Sequence, residues 1–313
     1  MNDPLSAGAY RLQFETNTVC NGKCSFCNYT DMKRRRPAKW SELLDLMYWI
    51  APTVKAAVPF GMQEPFLEPR LTAILANLKQ QNQRIETVVY SNMTVYDEEL
   101  YKRLIYQQNL DVLAVSFYGT DKRTYNKFQP GFDFYGVQKN IKRFMRLRKR
   151  LGWRKPRVEM HMIVAPETAK KSVSFMKKWQ NIVDSVGFVH FDSWCGTQVY
   201  DPLFEQKMWG DPETERLPCY RLWATMNVRS DGTLIPCCLD HDAVVDLGNA
   251  FVDHTVFNGD KIRAFRQLHL DGKQDTIPLC KDCSVWKYET PKEWKEFWRK
   301  QKIVTSAVAP CTK

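Results

Sequence analysis

The 313-residue sequence contains no run of about 18 apolar residues, so we expect no transmembrane helix and no membrane partner. Its amino terminus, MNDPLSAGAYRLQFE, has no basic stretch followed by an apolar run and therefore does not resemble a signal peptide. Internal repeats and low-complexity segments are also missing, and the five histidines show no ligand-like clustering. These absences favour a globular protein located in the cytoplasm.

Cysteine and positive charge, in contrast, are abundant. Disulfides are rare in the cytosol, so the ten cysteines are not expected to pair, and clustered cysteines there are expected to bind metal or to carry out chemistry. A hydrophobic fraction of 44% supports a packed core, and the length suffices for one large and one smaller domain. The net charge of +11 favours an anionic partner such as a phosphate, a nucleotide, a nucleic acid or an acidic peptide, without choosing among them.

Strand-like and helix-like segments alternate through the first two thirds of the chain. The apolar strand candidates span residues 10–15, 56–61, 87–91, 112–117, 158–164 and 188–191. Helical patterns between them span residues 40–50, 70–81, 97–108, 135–151 and 169–186. This alternation predicts an α/β fold with a parallel sheet and crossover helices, which can curve into a partial (β/α)6 barrel.

The pattern changes after residue 200, so the predicted domains are residues 1–200 and 201–313. Residues 201–218 are polar and contain Pro202, Pro212 and Pro218, as is typical of a linker. Residues 224–237 then form a hairpin pattern, because an Asp-Gly pair supplies the positive φ that a tight turn needs. With a helix predicted near residues 260–269, the second domain should be small and of the α+β class.

A first set of cysteines, Cys20, Cys24 and Cys27, follows the first predicted strand in the spacing C-x3-C-x2-C. A [4Fe–4S] cluster usually takes four thiolates, so three with no fourth nearby would leave one iron open to a cofactor or substrate. The alternatives are a zinc site, although structural zinc normally has four protein ligands, or unrelated thiols. Spacing alone leaves all three interpretations open.

The second set consists of Cys219, Cys237, Cys280 and Cys283. One cysteine precedes the hairpin, one ends it, and two form a later C-x2-C. Four cysteines can ligate an iron–sulfur cluster completely. A zinc site with four cysteine ligands has the same composition, and spacing does not exclude it.

The first set resembles the signature of the radical S-adenosylmethionine (SAM) superfamily. Gly61-Met-Gln-Glu-Pro65 is similar to the family's GGEP motif, in which a carboxylate suits the SAM amino group, although Gln63 replaces the second glycine. Ser116-Phe-Tyr-Gly119 is similar to a segment whose serine can face the SAM ribose. The resemblance implies SAM contacts at Phe26, Gly61, Gln63, Glu64, Asn92 and Ser116.

The same resemblance implies the chemistry. SAM would bind the open iron, and an electron from a donor such as flavodoxin or ferredoxin would cleave it to a 5′-deoxyadenosyl radical that abstracts a substrate hydrogen. The second set resembles the SPASM/twitch extension of these enzymes. Because 27 residues separate Cys283 from the next cysteine, Cys311, the twitch form with one auxiliary cluster fits better, giving two [4Fe–4S] clusters in all.

A fully ligated auxiliary cluster has no free iron, so its expected role is electron transfer. We therefore expect a radical SAM oxidoreductase, with the auxiliary cluster taking the second electron from a small polar metabolite such as a sugar or another hydroxylated compound. The alternatives are an enzyme that modifies a peptide or protein side chain, an RNA-modifying enzyme suggested by the positive charge, and a non-enzymatic redox sensor.

Few residues can be assigned to the substrate. Cys195 is a candidate hydrogen-atom donor, although a free cysteine is commonly just buried. His161 is a candidate general base, although a core histidine is the commoner interpretation of its pattern. The basic run from Lys33 to Arg36 could guide an anionic substrate, because arginine binds such groups bidentately, or it could be a solvated loop.

Overall fold

The computed structural model describes residues 3–189, 193–196, 204, 206–207, 215–288, 291–297 and 299. Its eight strands form one sheet in the order β6-β5-β4-β3-β2-β1-β7-β8. All neighbours pair in parallel except the antiparallel hairpin β7-β8. The strands are β1 Arg11–Phe14, β2 Ala56–Val58, β3 Glu86–Ser91, β4 Val112–Ser116, β5 Arg157–Ile163, β6 Ser185–Val189, β7 Thr225–Val228 and β8 Leu234–Ile235.

Helices connect the parallel strands, as the alternating pattern predicts. They are α1 Trp40–Ile50, α2 Leu71–Gln81, α3 Glu98–Tyr106, α4 Lys122–Phe128, α5 Phe134–Arg150, α6 Pro166–Ala169, α7 Ser172–Trp179, α8 Arg221–Ala224, α9 Asp260–Leu270, α10 Pro278–Lys281 and α11 Val285–Tyr288. Single 3-10 turns occur at Asn28–Thr30, Ala51–Thr53, Pro65–Leu67, Val256–Asn258 and Gln274–Thr276. No helix among these described segments is both long and apolar enough to cross a membrane.

Aspartates mark where several helices begin. The Asp97 carboxylate accepts hydrogen bonds from two backbone N–H groups in the first turn of α3. The Asp121 carboxylate accepts one such bond at the start of α4, and the Asp133 carboxylate accepts one at the start of α5. These side chains satisfy N–H groups that have no partner within the helix. The boundaries of α3 and α5 therefore lie within two residues of the predicted ones.

The buried core lies between the sheet and the helices. Leu12 and Phe14 of β1 pack there with Met226 and Val228 of β7. Because successive strand residues point to opposite faces, Arg11 and the other alternate residues of these strands face the interior of the barrel. The helix side is thus apolar, whereas the interior carries polar side chains.

The predicted hairpin of the second domain is confirmed, with Gly232 at φ +90° in its turn. Its first strand also pairs in parallel with β1, so it extends the barrel sheet. A buried ion pair reinforces this contact: Arg229 Nη1 lies 3.1 Å from Glu15 Oε1, and both side chains are almost inaccessible to solvent. Arg35, from the basic run, pairs with Asp231 in the hairpin turn, which gives it a structural contact.

The prediction of one long helix over residues 169–186 is wrong. Residue 169 ends the short helix α6, and the only longer helix within the segment, α7, ends at Trp179, six residues before β6 begins. The valines of this segment fit an apolar helix face, yet β-branched residues pack well in a strand. The sixth strand starts three residues earlier than predicted, and residues 190–192 lie outside the described part. The domain boundary at residues 200 and 201 also lies outside it and stays a prediction.

Candidate active site

The loop of the first cysteine set is held against the end of β1 by Tyr29. The tyrosine hydroxyl accepts a hydrogen bond from the Cys20 N–H at 2.7 Å and lies 3.2 Å from the Thr18 carbonyl oxygen. Arg34 stacks on the Tyr29 ring at 3.9 Å and donates to the same Thr18 oxygen at 2.8 Å. Tyr29 and Arg34 thus position the cysteine loop, a role that nothing in the cysteine spacing indicated.

Two of the three thiols lie around Gly22. A Cβ atom built at Gly22 would lie 3.5 Å from Cys20 Sγ and 3.6 Å from Cys24 Sγ. Burial raises the pKa of Cys20 to about 11 and that of Cys24 to about 12, and it also raises the pKa of Cys27. A metal deprotonates a thiol that coordinates it, so these raised pKa values are compatible with a metal cluster bound at the loop.

No three His, Cys, Asp or Glu side chains in the described ranges are grouped closely enough to hold a single metal ion. A four-iron cluster is wider than one ion, and its thiolates stand further apart. The fit of the loop to a cluster therefore rests on the partial burial that the three thiols share and on the approach of Cys20 and Cys24 to the same glycine.

Phe26, next to the third cysteine, packs the loop onto the barrel. Its ring contacts Tyr118 edge-on, with 4.9 Å between the ring centroids, and lies 6.3 Å from Phe128. Ile163, the last residue of β5, belongs to the same small apolar cluster. The loop is thereby attached to the carboxyl edge of the sheet, the edge where β/α barrels place their chemistry.

The Gly61–Glu64 turn lies beside the same edge. A Cβ atom at Gly61 would stand only 2.3 Å from Glu15 Cγ, so the turn requires glycine. Gln63 Oε1 accepts hydrogen bonds from the N–H groups of Thr16 and Asn17 at 3.0 and 3.3 Å, and its amide donates to the Thr16 hydroxyl at 2.7 Å. Gln63 therefore connects this turn to the segment that leads into the cysteine loop.

Glu64 is the buried carboxylate of the turn, with 3% of its surface exposed. Its Oε1 accepts from the Ser91 hydroxyl at 2.7 Å and from the Phe66 N–H at 3.1 Å, while Oε2 accepts from the Asn92 N–H at 2.8 Å. Burial raises the pKa of Glu64 to about 7 despite these donors. A carboxylate offers about four lone-pair positions, so Oε2 retains one for a further donor.

Asn92 and Ser116 lie at the ends of neighbouring strands. The Asn92 amide donates to Asn21 Oδ1 at 2.9 Å, which brings it to the cysteine loop. Ser116 ends β4 directly opposite His161 of β5, and its carbonyl accepts from Gln129 at 3.1 Å. The structure thus brings Phe26, Gly61, Gln63, Glu64, Asn92 and Ser116 to the sheet edge where the cysteine loop lies.

The barrel interior is polar next to this edge. His161 is partly buried, contacts Tyr90 with 5.7 Å between the rings, and has its Nε2 3.5 Å from Glu159 Oε2. Burial lowers the pKa of His161. Burial also raises the pKa of Tyr90, whereas the nearby Arg11 guanidinium acts to lower it. His190, another histidine of a predicted strand, lies outside the described residues.

A cavity of about 200 Å³ lies at the amino-terminal ends of β1 and β7, the end of these strands opposite the cysteine loop. Arg11 Nε and Asn227 Oδ1 are buried there and have no hydrogen-bond partner within the described residues. Arg221 and Cys238 line the same cavity. The cavity therefore offers a hydrogen-bond donor, an acceptor and positive charge to a polar molecule.

All four cysteines of the second set line one apolar pocket: Cys219, Cys237, Cys280 and Cys283. Arg221 Nη1 lies 3.7 Å from Cys237 Sγ, and the Leu239 N–H donates to that sulfur at 3.5 Å. A hydrogen bond from Cys238 and the donors just named lower the pKa of Cys237. Burial, in contrast, raises the pKa of Cys219 to about 12. Convergence of four thiols in an apolar pocket fits a cluster with a complete set of protein ligands.

Cys195 lines this second pocket as well. It lies in a run of left-handed backbone, with φ of 45° at Trp194, 58° at Cys195 and 86° at Gly196. The fold therefore places Cys195 beside the second cysteine set, and its use as a hydrogen-atom donor stays a prediction. Cys311 lies outside the described residues.

The fold and these two sites define a class of protein, a partial β/α barrel that carries iron–sulfur clusters. Residues 14–172 match the family model of the radical SAM superfamily, and residues 219–284 match SPASM, an iron–sulfur cluster-binding domain. The first match spans more than half of the chain, and the protein belongs to the radical SAM superfamily. Its cofactors are therefore SAM and a [4Fe–4S] cluster, and the SPASM region binds auxiliary iron–sulfur in addition.

Solved structures share the fold at low sequence identity. BtrN in complex with AdoMet and 2-DOIA has a TM-score of 0.60 and 16% identity over 90% of this chain and 95% of its own. Streptococcus suis SuiB bound to precursor peptide SuiA has a TM-score of 0.64 and 13% identity, and the match covers 90% of this chain and 71% of SuiB. Native anSMEcpe with bound AdoMet and Cp18Cys peptide has a TM-score of 0.58 and 17% identity, and the match covers 95% of this chain and 99% of anSMEcpe. No curated protein sequence matches the chain.

Proposed function

We propose that the protein is an oxidoreductase acting on a small polar metabolite, such as a sugar or another hydroxylated compound. The observation that carries this proposal is the pocket shared by the four cysteines of the second set. Four thiolates leave a single cluster no free iron for a substrate, so the role left to that cluster is electron transfer. An external donor such as flavodoxin or ferredoxin would start each turnover.

The bound cofactors and the side chains of the protein would have separate roles in the reaction. When bound, SAM and its cluster supply a hydrogen-abstracting 5′-deoxyadenosyl radical, and the auxiliary cluster supplies an electron acceptor. A hydroxylated carbon that loses one hydrogen atom, one proton and one electron becomes a carbonyl carbon. Arg11 and Asn227 would bind polar groups of the substrate, because each has a buried atom at the cavity beside β1 and β7 that no other described residue bonds.

His161 is the proposed acceptor of the substrate proton. Burial keeps its pKa below the ordinary value, so the imidazole is neutral near pH 7 and can accept a proton. Glu159, 3.5 Å from Nε2, would stabilise the imidazolium that forms. His161 faces the barrel interior beside Ser116, next to the proposed SAM contacts.

Cys20, Cys24 and Cys27 are the proposed ligands of the first cluster, and Glu64 is the proposed contact of the SAM amino group. We expect Glu64→Gln to weaken SAM binding roughly 10- to 100-fold, the equivalent of losing a hydrogen bond to a charged group of about 1.5–3 kcal/mol. Because burial raises the Glu64 pKa to about 7, the carboxylate form prevails only above that pH. SAM affinity should therefore rise about tenfold from roughly pH 6 to pH 8.

Equilibrium binding of SAM to the anaerobically reconstituted protein, measured across this pH range, tests both effects. The Glu64→Gln variant is also the baseline for the pH series, because titration of SAM itself affects both proteins equally. A pH dependence that is unchanged in Glu64→Gln would contradict the assigned contact.

Deuterium transfer tests the substrate class. The reduced holoenzyme is incubated with SAM and a panel of C-deuterated sugars, amino sugars and polyols, and 5′-deoxyadenosine is examined by mass spectrometry. Deuterium in 5′-deoxyadenosine, together with a carbonyl product two hydrogens lighter, is the expected result. A parallel incubation with deuterated peptides provides the comparison.

A peptide substrate is the second candidate, because two proteins of similar fold have been solved with bound peptides, SuiA and Cp18Cys. Label arriving from the peptides and not from the metabolites would replace the proposed substrate class by this one. An RNA substrate is supported only by the positive charge of the chain, and an RNA oligonucleotide in the same assay tests it.

A further inference from the structure

His269 lies between two cysteines of the second set. Its side chain, on α9, is 3% exposed. The Cys219 N–H donates to His269 Nδ1 at 3.3 Å, and His269 Nε2 lies 3.6 Å from Cys280 Sγ. Gln274 donates to the His269 carbonyl at 3.1 Å, and the Phe265 ring packs against the imidazole at 5.7 Å between centroids.

These contacts determine where the imidazole carries its proton. A ring nitrogen that accepts a hydrogen bond bears no hydrogen, so Nδ1 is the acceptor and the single proton of the neutral ring is on Nε2. Nε2 is the nitrogen that faces Cys280 Sγ. The Cys219 backbone thus fixes the tautomer in which His269 donates an N–H···S hydrogen bond.

We infer that His269 is a positioning residue that raises the reduction potential of the auxiliary cluster through its hydrogen bond to Cys280. The inference rests on the proposal that these four cysteines hold one cluster. A donor to a ligating sulfur withdraws negative charge, and it stabilises the reduced cluster more because that state carries one more electron. Cys237 receives donors from Arg221 and Leu239 in the same way, which suits a cluster that accepts an electron.

Two substitutions separate the two hydrogen bonds of His269. In His269→Asn, the side-chain oxygen takes the place of Nδ1 and keeps the Cys219 contact, but nothing reaches Cys280. In His269→Gln, the longer amide places its NH2 near the position of Nε2 and keeps a donor for Cys280. Both variants are made in full-length protein carrying Cys20→Ala, Cys24→Ala and Cys27→Ala, so that only the auxiliary cluster contributes to the signal.

The readouts are iron content and the midpoint potential from an EPR-monitored redox titration without substrate. We expect the iron content to stay at about four per chain, the potential to fall in His269→Asn, and His269→Gln to restore it towards the parent value. His254→Asn, a histidine of the same unit that packs on Trp49, is the matched control and should leave the potential unchanged.

Equal potentials in all variants, equal shifts in Asn and Gln, or iron loss in both would overturn the inference and give His269 a merely structural role. A parent protein without iron would refute the ligand proposal on which the inference rests. Failure of the proposed oxidation would leave these readouts unaffected, because no substrate is present.

Discussion

Cys24→Ala is expected to abolish the formation of 5′-deoxyadenosine. Cys24 is the middle ligand of the proposed first cluster, and its thiol lies in the buried cluster of Phe26 and Ile163. Alanine removes one of the three proposed protein ligands of that cluster. The anaerobically reconstituted protein, reduced with dithionite in the presence of SAM, is assayed by liquid chromatography and mass spectrometry.

The matched control is Cys311→Ala, the same chemical change at a cysteine outside both sets. It should retain full 5′-deoxyadenosine formation and about eight irons per chain, whereas Cys24→Ala should retain about four, in the auxiliary cluster. Formation of 5′-deoxyadenosine in Cys24→Ala equal to that of the control would contradict the proposed role of Cys24 as a cluster ligand. A non-enzymatic redox sensor, in contrast, would produce no 5′-deoxyadenosine in either protein.

Most of the barrel could be predicted from local patterns. The helix predicted over residues 40–50 has the same bounds as α1, because its apolar residues recur at the spacing of one helix face. The helix predicted over residues 169–186 was wrong at its carboxyl end, since Val186 suits a helix face and a strand equally well and lies in β6. The parallel pairing of β7 with β1 was not predictable, because it depends on contacts between segments more than 200 residues apart.

The candidate site was likewise predictable from the sequence only in part. Cysteine spacing and the Gly61–Glu64 motif pointed to the correct superfamily, because such chemistry requires particular residue types in sequence. The supporting contacts gave no such signal: Gln63 looked like a departure from the motif, yet it bonds to Thr16 and Asn17. Tyr29 and His269 carry no local pattern either, since their roles depend on which backbone groups the fold brings next to them.

Cys283→Ala is expected to separate SAM cleavage from substrate oxidation. The substitution removes one of the four thiolates proposed to ligate the auxiliary cluster in the second pocket. The first cluster has its own three cysteines, so 5′-deoxyadenosine should still form when excess reductant is supplied. The oxidised product should be lost, because the substrate radical would have no acceptor for its second electron, and iron should fall from about eight to about four per chain.

Cys195→Ala provides the sharpest control for this result, because Cys195 lines the same pocket without belonging to the proposed ligand set. It should keep about eight irons per chain, and iron loss there would mean that Cys195 is a ligand in place of one of the four. Loss of SAM cleavage in Cys283→Ala would show that the two clusters are not independent and would contradict the role of terminal acceptor. Continued formation of the oxidised product in that variant, at the rate of the unmodified protein, would contradict the auxiliary cluster as the acceptor of the second electron.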